Sequence, residues 1–127
     1  MITAAQMNEI SSRIIGAAIT VYRELGPGLL ESVYQSCMAI ELRNDSLRVE
    51  CEVPVPVIYR GIEIHKEGFR LDLLVEGVVV VELKSVEKIL PVHKKQLLTY
   101  LRLADKKLGL LNEELLVIGI TRISNGL

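Results

Sequence analysis

The sequence predicts a mixed α/β (α+β) single domain in which two helices precede most of the sheet. Three features carry this reading: a helical apolar stripe over the first 25 residues, an alternating valine run from Val49, and the run Val78-Val79-Val80-Val81 that ends in Glu82-Leu83-Lys84. The expected order is α-α-β-β-β-α-β-β. At 127 residues, the span 1–127 is one domain with enough chain for a core.

The first helix is expected over 4–25, where Ile10, Ile14, Ala17, Ala18, Val21 and Leu25 recur at helical spacing. Thr3 is its N-cap and Gly26-Pro27-Gly28 its stop. A second helix runs from about Leu29 to Arg43, with Leu30, Val33, Cys37, Met38, Ile40 and Leu42 as its apolar positions. Val49 to Tyr59 alternates around Val53, Val55 and Val57. Pro54 and Pro56 make it an edge strand, because neither can donate to a ladder. Arg60-Gly61 is a turn, followed by a short strand through Ile62 and Ile64. Phe69 to Val75 and Val78 to Lys84 then form a hairpin around Glu76-Gly77. Pro91 opens a helix through about Ala104. Lys107 to Leu111 and Leu116 to Ile123 are the last strands.

Composition narrows the function classes. A formal charge of −1 supplies no global basic field, so any nucleic-acid contact must come from a local patch. Cys37 and Cys51 lack metal-ligand spacing and read as reduced and partly buried. No signal peptide or membrane span is expected, which places the protein in the cytoplasm.

Chemistry concentrates between Phe69 and Lys84. Glu82 and Lys84 end a strand that has every reason to be buried, and Asp72 interrupts the strand before it. Such charges are costly unless they pair or hold a cation. Two carboxylates suit Mg²⁺ or Mn²⁺, and Lys84 can act on an attacking water or on a phosphorane. The ordinary alternative is a surface hairpin whose charges pair with neighbours. Hairpin geometry separates the options. A two-residue turn pairs Asp72 with Val81 and sends Glu82 to the other face. A three-residue loop, Val75-Glu76-Gly77 with Gly77 left-handed, pairs Asp72 with Val80 and puts Asp72, Glu82 and Lys84 on one face.

Two further constellations stand out. Gly28, Glu31 and Tyr34 open the second helix, with Glu31 and Tyr34 on one face. Favourable interaction of Glu31 with the helix dipole and a core role for Tyr34 are the plainer explanations. His93, Gln96 and Tyr100 share a face of the last helix; Gln96 can bond a water or a phosphate, and Tyr100 can buttress it. A polar edge above Leu97, Leu98 and Leu101 is the plainer account, and His93 has no partner at metal-ligand spacing.

Together these residues resemble the GxxExxY family, within the PD-(D/E)XK nucleases. The similarity runs over nearly the whole chain, through Leu25 to Tyr34, Asp72-Leu73-Leu74-Val75, Val81-Glu82-Leu83-Lys84, Gln96 to Leu101, and Asn125-Gly126-Leu127. The superfamily's Pro before its first Asp is absent; Arg70-Leu71 stands there. The resemblance implies a restriction-endonuclease-like core, a mixed central sheet flanked by helices. It implies that Asp72 and Glu82 bind metal and that Lys84 is catalytic. Glu31 would match the acidic residue of the first core helix, and Gln96 with Tyr100 the Gln-x-x-x-Tyr element. The expected function is Mg²⁺-dependent (or Mn²⁺-dependent) phosphodiester hydrolysis in nucleic acid, DNA before RNA. Lys66, Arg70, Lys88, Lys94 and Lys95 would touch phosphates, and a homodimer would cover the substrate. The alternative is a binding or regulatory module on the same fold with little hydrolytic activity.

Overall fold

The computed structural model describes residues 2–26, 28, 30–84, 90–113 and 120–125. Its elements follow the expected order: α1 (Ala4–Leu25), α2 (Glu31–Asn44), β1 (Val49–Tyr59), β2 (Ile62–Val75), β3 (Val79–Lys84), α3 (Pro91–Ala104), β4 (Leu108–Glu113) and β5 (Ile120–Ser124). Thr3 caps α1 through a reciprocal pair. Its hydroxyl accepts from the Gln6 N–H at 3.1 Å, and the Gln6 side chain accepts from the Thr3 N–H at 2.8 Å.

Among the described residues, five strands form one sheet in the order β1-β2-β3-β4-β5. All neighbours are antiparallel except β3 and β4, which run parallel and are joined by the α3 crossover. One face of the sheet carries α1 and α2. Ile14, Ala18 and Val21 of α1 and Met38 and Leu42 of α2 pack there on Leu73, Val75, Val79, Val81 and Leu83. The other face carries α3, whose Leu97 and Leu101 lie on Leu71, Leu74, Val80 and Leu111. Gly109 of β4 permits that close approach, since a Cβ there would sit 2.9 Å from Leu97 Cδ2. Strand β3 is therefore buried on both faces, the reason its valines run without alternation.

Several boundaries and faces depart from the sequence reading. β2 is one 14-residue strand, where a separate short strand through Ile62 and Ile64 was expected; register shifts between Val55 and Ile58 accommodate the irregular outer part. The apolar stripe of α2 is displaced. Tyr34, Met38, Ala39 and Leu42 enter the core, while Leu30, Val33 and Ile40 are exposed. Leu25 at the end of α1 is also exposed, and Met7 and Ser11 are buried in its stead. Helix periodicity tolerates a neighbouring stripe when both are apolar, and packing against the sheet selects between them. The last strand is seen from Ile120, and the expected start at Leu116 lies outside the described residues.

The β2–β3 turn settles the register. Val75 pairs with Val79, Leu74 with Val80 and Leu73 with Val81. The loop is three residues long, as the shared-face option requires, but it comprises Glu76-Gly77-Val78. Asp72 thus stands opposite Glu82, and the expected Asp72–Val80 pairing is corrected by two positions. The cause is local. Glu76 and Gly77 both adopt left-handed backbone (φ 53° and 68°), and the Val78 N–H closes the turn on the Val75 carbonyl at 3.1 Å. Glu76 is held in that conformation from outside. Its carboxylate accepts from the Arg48 N–H at 2.7 Å, and its own N–H donates to the Arg48 carbonyl at 2.8 Å.

Candidate active site

Backbone pairing between β2 and β3 reaches Leu73–Val81, and one step beyond it side chains take over the bonding. The Asp72 N–H donates to Glu82 Oε1 at 3.2 Å, and the Leu83 N–H donates to Asp72 Oδ2 at 2.8 Å. Each carboxylate satisfies an amide of the opposite strand. Glu82 is only 4% exposed, the one buried carboxylate among the described residues, whereas Asp72 and Lys84 are half-buried. Alternation along β3 sends Glu82 and Lys84 to the α3 side with Val80. The surface-hairpin alternative does not describe such a place.

The electrostatics follow from the burial. Loss of water, and then the nearby Asp72 charge, push the Glu82 carboxyl up to about 8. Asp72 is also raised, first by burial; the Leu83 N–H opposes the rise, Glu31 adds to it and Lys84 reduces it. Tyr100 on α3 is raised by burial and by the charges of Glu82 and Asp72. These two carboxylates are thus held where a second negative charge is unwelcome, with Glu31, Lys84 and Tyr100 in electrostatic range.

The donor set is hard oxygen, which fits Mg²⁺ or Mn²⁺ held through one or two carboxylates with water and phosphate completing the shell. Among the described residues, no group of three or more His, Cys, Asp or Glu side chains is placed to cage an ion. Glu31 opens α2 exposed, just after Gly28 with its left-handed backbone (φ 92°); its charge reaches Asp72 without making a third ligand of that kind. Tyr34 is a core residue, its hydroxyl directed at the Ala18 carbonyl at 3.5 Å. His93 has a capping role instead of a ligand's, with Nδ1 accepting from the Leu90 N–H at 3.0 Å.

Gln96 and Tyr100 line a shallow cavity of about 210 Å³ with Phe69, Val92, Lys95 and Thr99. Of the residues expected to meet phosphates, Arg70, Lys94 and Lys95 are exposed. The Lys66 side chain and all of Lys88 lie outside the described residues.

Glu52 is a site neighbour that the sequence reading passed over. The β1–β2 register pairs Cys51 with Leu73 and Val53 with Leu71, so Glu52 falls opposite Asp72. It has a left-handed backbone inside a strand (φ 54°), and its charge contributes to raising Asp72. The signal was available only through register. On alternation alone, Glu52 is one more outward-facing polar residue.

The carboxylate pair and Lys84 stand at the end of a central strand, in a mixed sheet with helices on both faces. The chain belongs to the PD-(D/E)XK nuclease superfamily, whose family model matches residues 8–115. No curated protein and no solved structure matches it. No helix among the described residues is long and apolar enough to cross a membrane.

Proposed function

We propose that the protein is a divalent-metal-dependent nuclease that hydrolyses phosphodiesters in DNA, with RNA as the second candidate. The observation that carries this reading is Glu82, buried directly across the strand pair from Asp72. Two facing carboxylates forced into low dielectric are unfavourable for stability alone, and a hard cation relieves them. Asp72 and Glu82 would hold Mg²⁺ or Mn²⁺, with Glu31 within electrostatic reach of Asp72. When bound, such a cation supplies positive charge to a phosphodiester and acidifies nearby water. Lys84 would orient the attacking water or stabilise the crowded phosphorus, and Gln96 would position the nucleophile. Gly28 would shape the turn before Glu31, while Tyr34 and Tyr100 support the walls. Arg70, Lys94 and Lys95, with Lys66 and Lys88, are the candidate phosphate contacts. A homodimer would widen the surface offered to substrate, and a cytoplasmic location suits the two free cysteines.

The test is Mn²⁺ and Mg²⁺ calorimetry on wild type, Asp72→Asn and Glu82→Gln, with cleavage of single- and double-stranded DNA and RNA that includes Lys84→Ala. Cation binding lost in both carboxylate variants, with cleavage lost in all three, is the expected result. No cation binding at millimolar metal, even with nucleic acid present, would refute it. That outcome would favour the second reading, a binding module on the same fold, for which the net charge of −1 speaks.

A further inference from the structure

The chain has five aromatic side chains, four Tyr and one Phe, and no Trp. Two of the five, Phe69 and Tyr100, meet at the surface beside the carboxylate pair. Their ring centroids are 4.6 Å apart, the planes tilted by 46°, and both rings remain half-exposed. Both pack on the cluster of Leu71, Leu74, Val80, Leu97 and Leu101, so they are fixed against the sheet and not on a mobile loop. Together they wall the 210 Å³ cavity, which Val92 (53% exposed) closes on the helix side. Gln96, Thr99 and Lys95 rim it with an amide, a hydroxyl and an ammonium.

This is a small site for a flat, partly polar ring. It is below the roughly 300–1,000 Å³ of pockets for drug-sized ligands. The aromatic and aliphatic walls offer stacking, and the amide of Gln96 can both donate to and accept from a ring's polar edge. Lys95 supplies a cation where a backbone phosphate would leave the cavity. Phe69 is three residues from Asp72 along β2, roughly 10 Å of extended strand.

We propose that this cavity receives one unpaired nucleobase adjoining the phosphodiester that lies over Asp72 and Glu82, which makes single-stranded or frayed nucleic acid the substrate class. The proposal rests on reading those carboxylates as the centre of a nuclease. A base inside an intact duplex is stacked on both faces and cannot lay one face in a side cavity without leaving the helix. A single strand meets no such cost, and stacking on protein rings tolerates any base.

The experiment compares binding of a fluorescent fifteen-nucleotide oligo-dT with a fully abasic strand of equal length, in Ca²⁺ buffer, to wild type, Phe69→Leu and Thr99→Leu. The first variant removes a ring. The second adds bulk inside the cavity at an exposed helix position, where leucine is a good helix former. Melting temperatures confirm that both are folded. Wild type is expected to bind oligo-dT about tenfold more tightly than the abasic strand, within the range of one stacked base. Both variants should lose that difference while keeping their affinity for the abasic strand. Equal wild-type affinity for the two strands, or a difference that survives in both folded variants, would overturn the proposal. Mn²⁺ binding and cleavage by the same wild-type sample separate the two ideas. Base-independent binding with metal-dependent cleavage intact refutes the cavity alone, whereas absent Mn²⁺ binding and cleavage refute the nuclease reading.

Discussion

Replacing Glu82 by Gln should stabilise the metal-free protein at alkaline pH and have a much smaller effect in mild acid. The reason lies in the buried carboxyl, whose native pKa is raised from an ordinary 4.5 to about 8 by burial and then by Asp72. Below about pH 4.5 both folded and unfolded chains carry the proton, and it has no bearing on stability. Between pH 4.5 and 8 the unfolded chain has ionised while the native one still holds the proton, so stability falls as pH rises. Above pH 8 the loss is complete. At about 1.4 kcal/mol per pH unit the upper limit is near 5 kcal/mol, and relaxation around the half-buried Asp72 reduces the expectation to roughly 2–4 kcal/mol. Glutamine is the informative replacement, because its Oε1 can still accept from the Asp72 N–H. Asp45 and Glu76 do not blur the window. Their pKa values are held low, Asp45 by a hydrogen bond from Arg13 and Glu76 by the Arg48 N–H, so their contributions are lost only in acid. The assay is urea unfolding in EDTA at pH 5.5 and pH 9 for wild type and Glu82→Gln. A wild type as stable as the variant at pH 9, or one that gains stability between pH 5.5 and 9, would refute the reasoning. Saturating Mn²⁺ should restore wild type and leave the variant unaffected.

Three perturbations test the frame around the site. Gly109→Ala forces a Cβ to within 2.9 Å of Leu97 in the packed face beneath α3, and should cost about 1–3 kcal/mol by chemical denaturation. Leu101→Ala, at a fully buried position on the same helix, should cost about 2–5 kcal/mol and loosen the cavity wall, read as a lower urea midpoint with an unchanged slope. Thr3→Ala removes the reciprocal cap of α1 and should cost about 1 kcal/mol without altering cation binding, measured by thermal melting beside calorimetry.

Much of the architecture was legible because its signals are local. Pro91 at a helix start, Thr3 with Gln6 three residues on, and paired prolines in an edge strand each report a constraint of their own backbone, and α1, β1 and α3 have the expected bounds. The α2 face was misjudged because Val33 and Ile40 are as apolar as the residues that enter the core; only the sheet beneath the helix chooses between them. The site was half legible. That Asp72, Glu82 and Lys84 share a face follows from any three-residue loop. Which residue opposes Asp72 depends on the left-handed conformation of Glu76, which Arg48 supports from 28 positions away. The Glu52 position opposite Asp72 is more distant still, since it requires the registers of two strand pairs at once.

The exchange of bonds between Asp72 and Glu82 also gives the molecule its own spectroscopic gauge. The Asp72 and Leu83 amide protons are directed at carboxylates, where neighbouring rungs of the sheet bond to carbonyls. Their proton and nitrogen resonances sense charge on those oxygens at hydrogen-bond distance. Two peaks in an amide NMR spectrum can therefore follow protonation or cation capture at the centre of the site, without a substrate, a reporter group or a substitution.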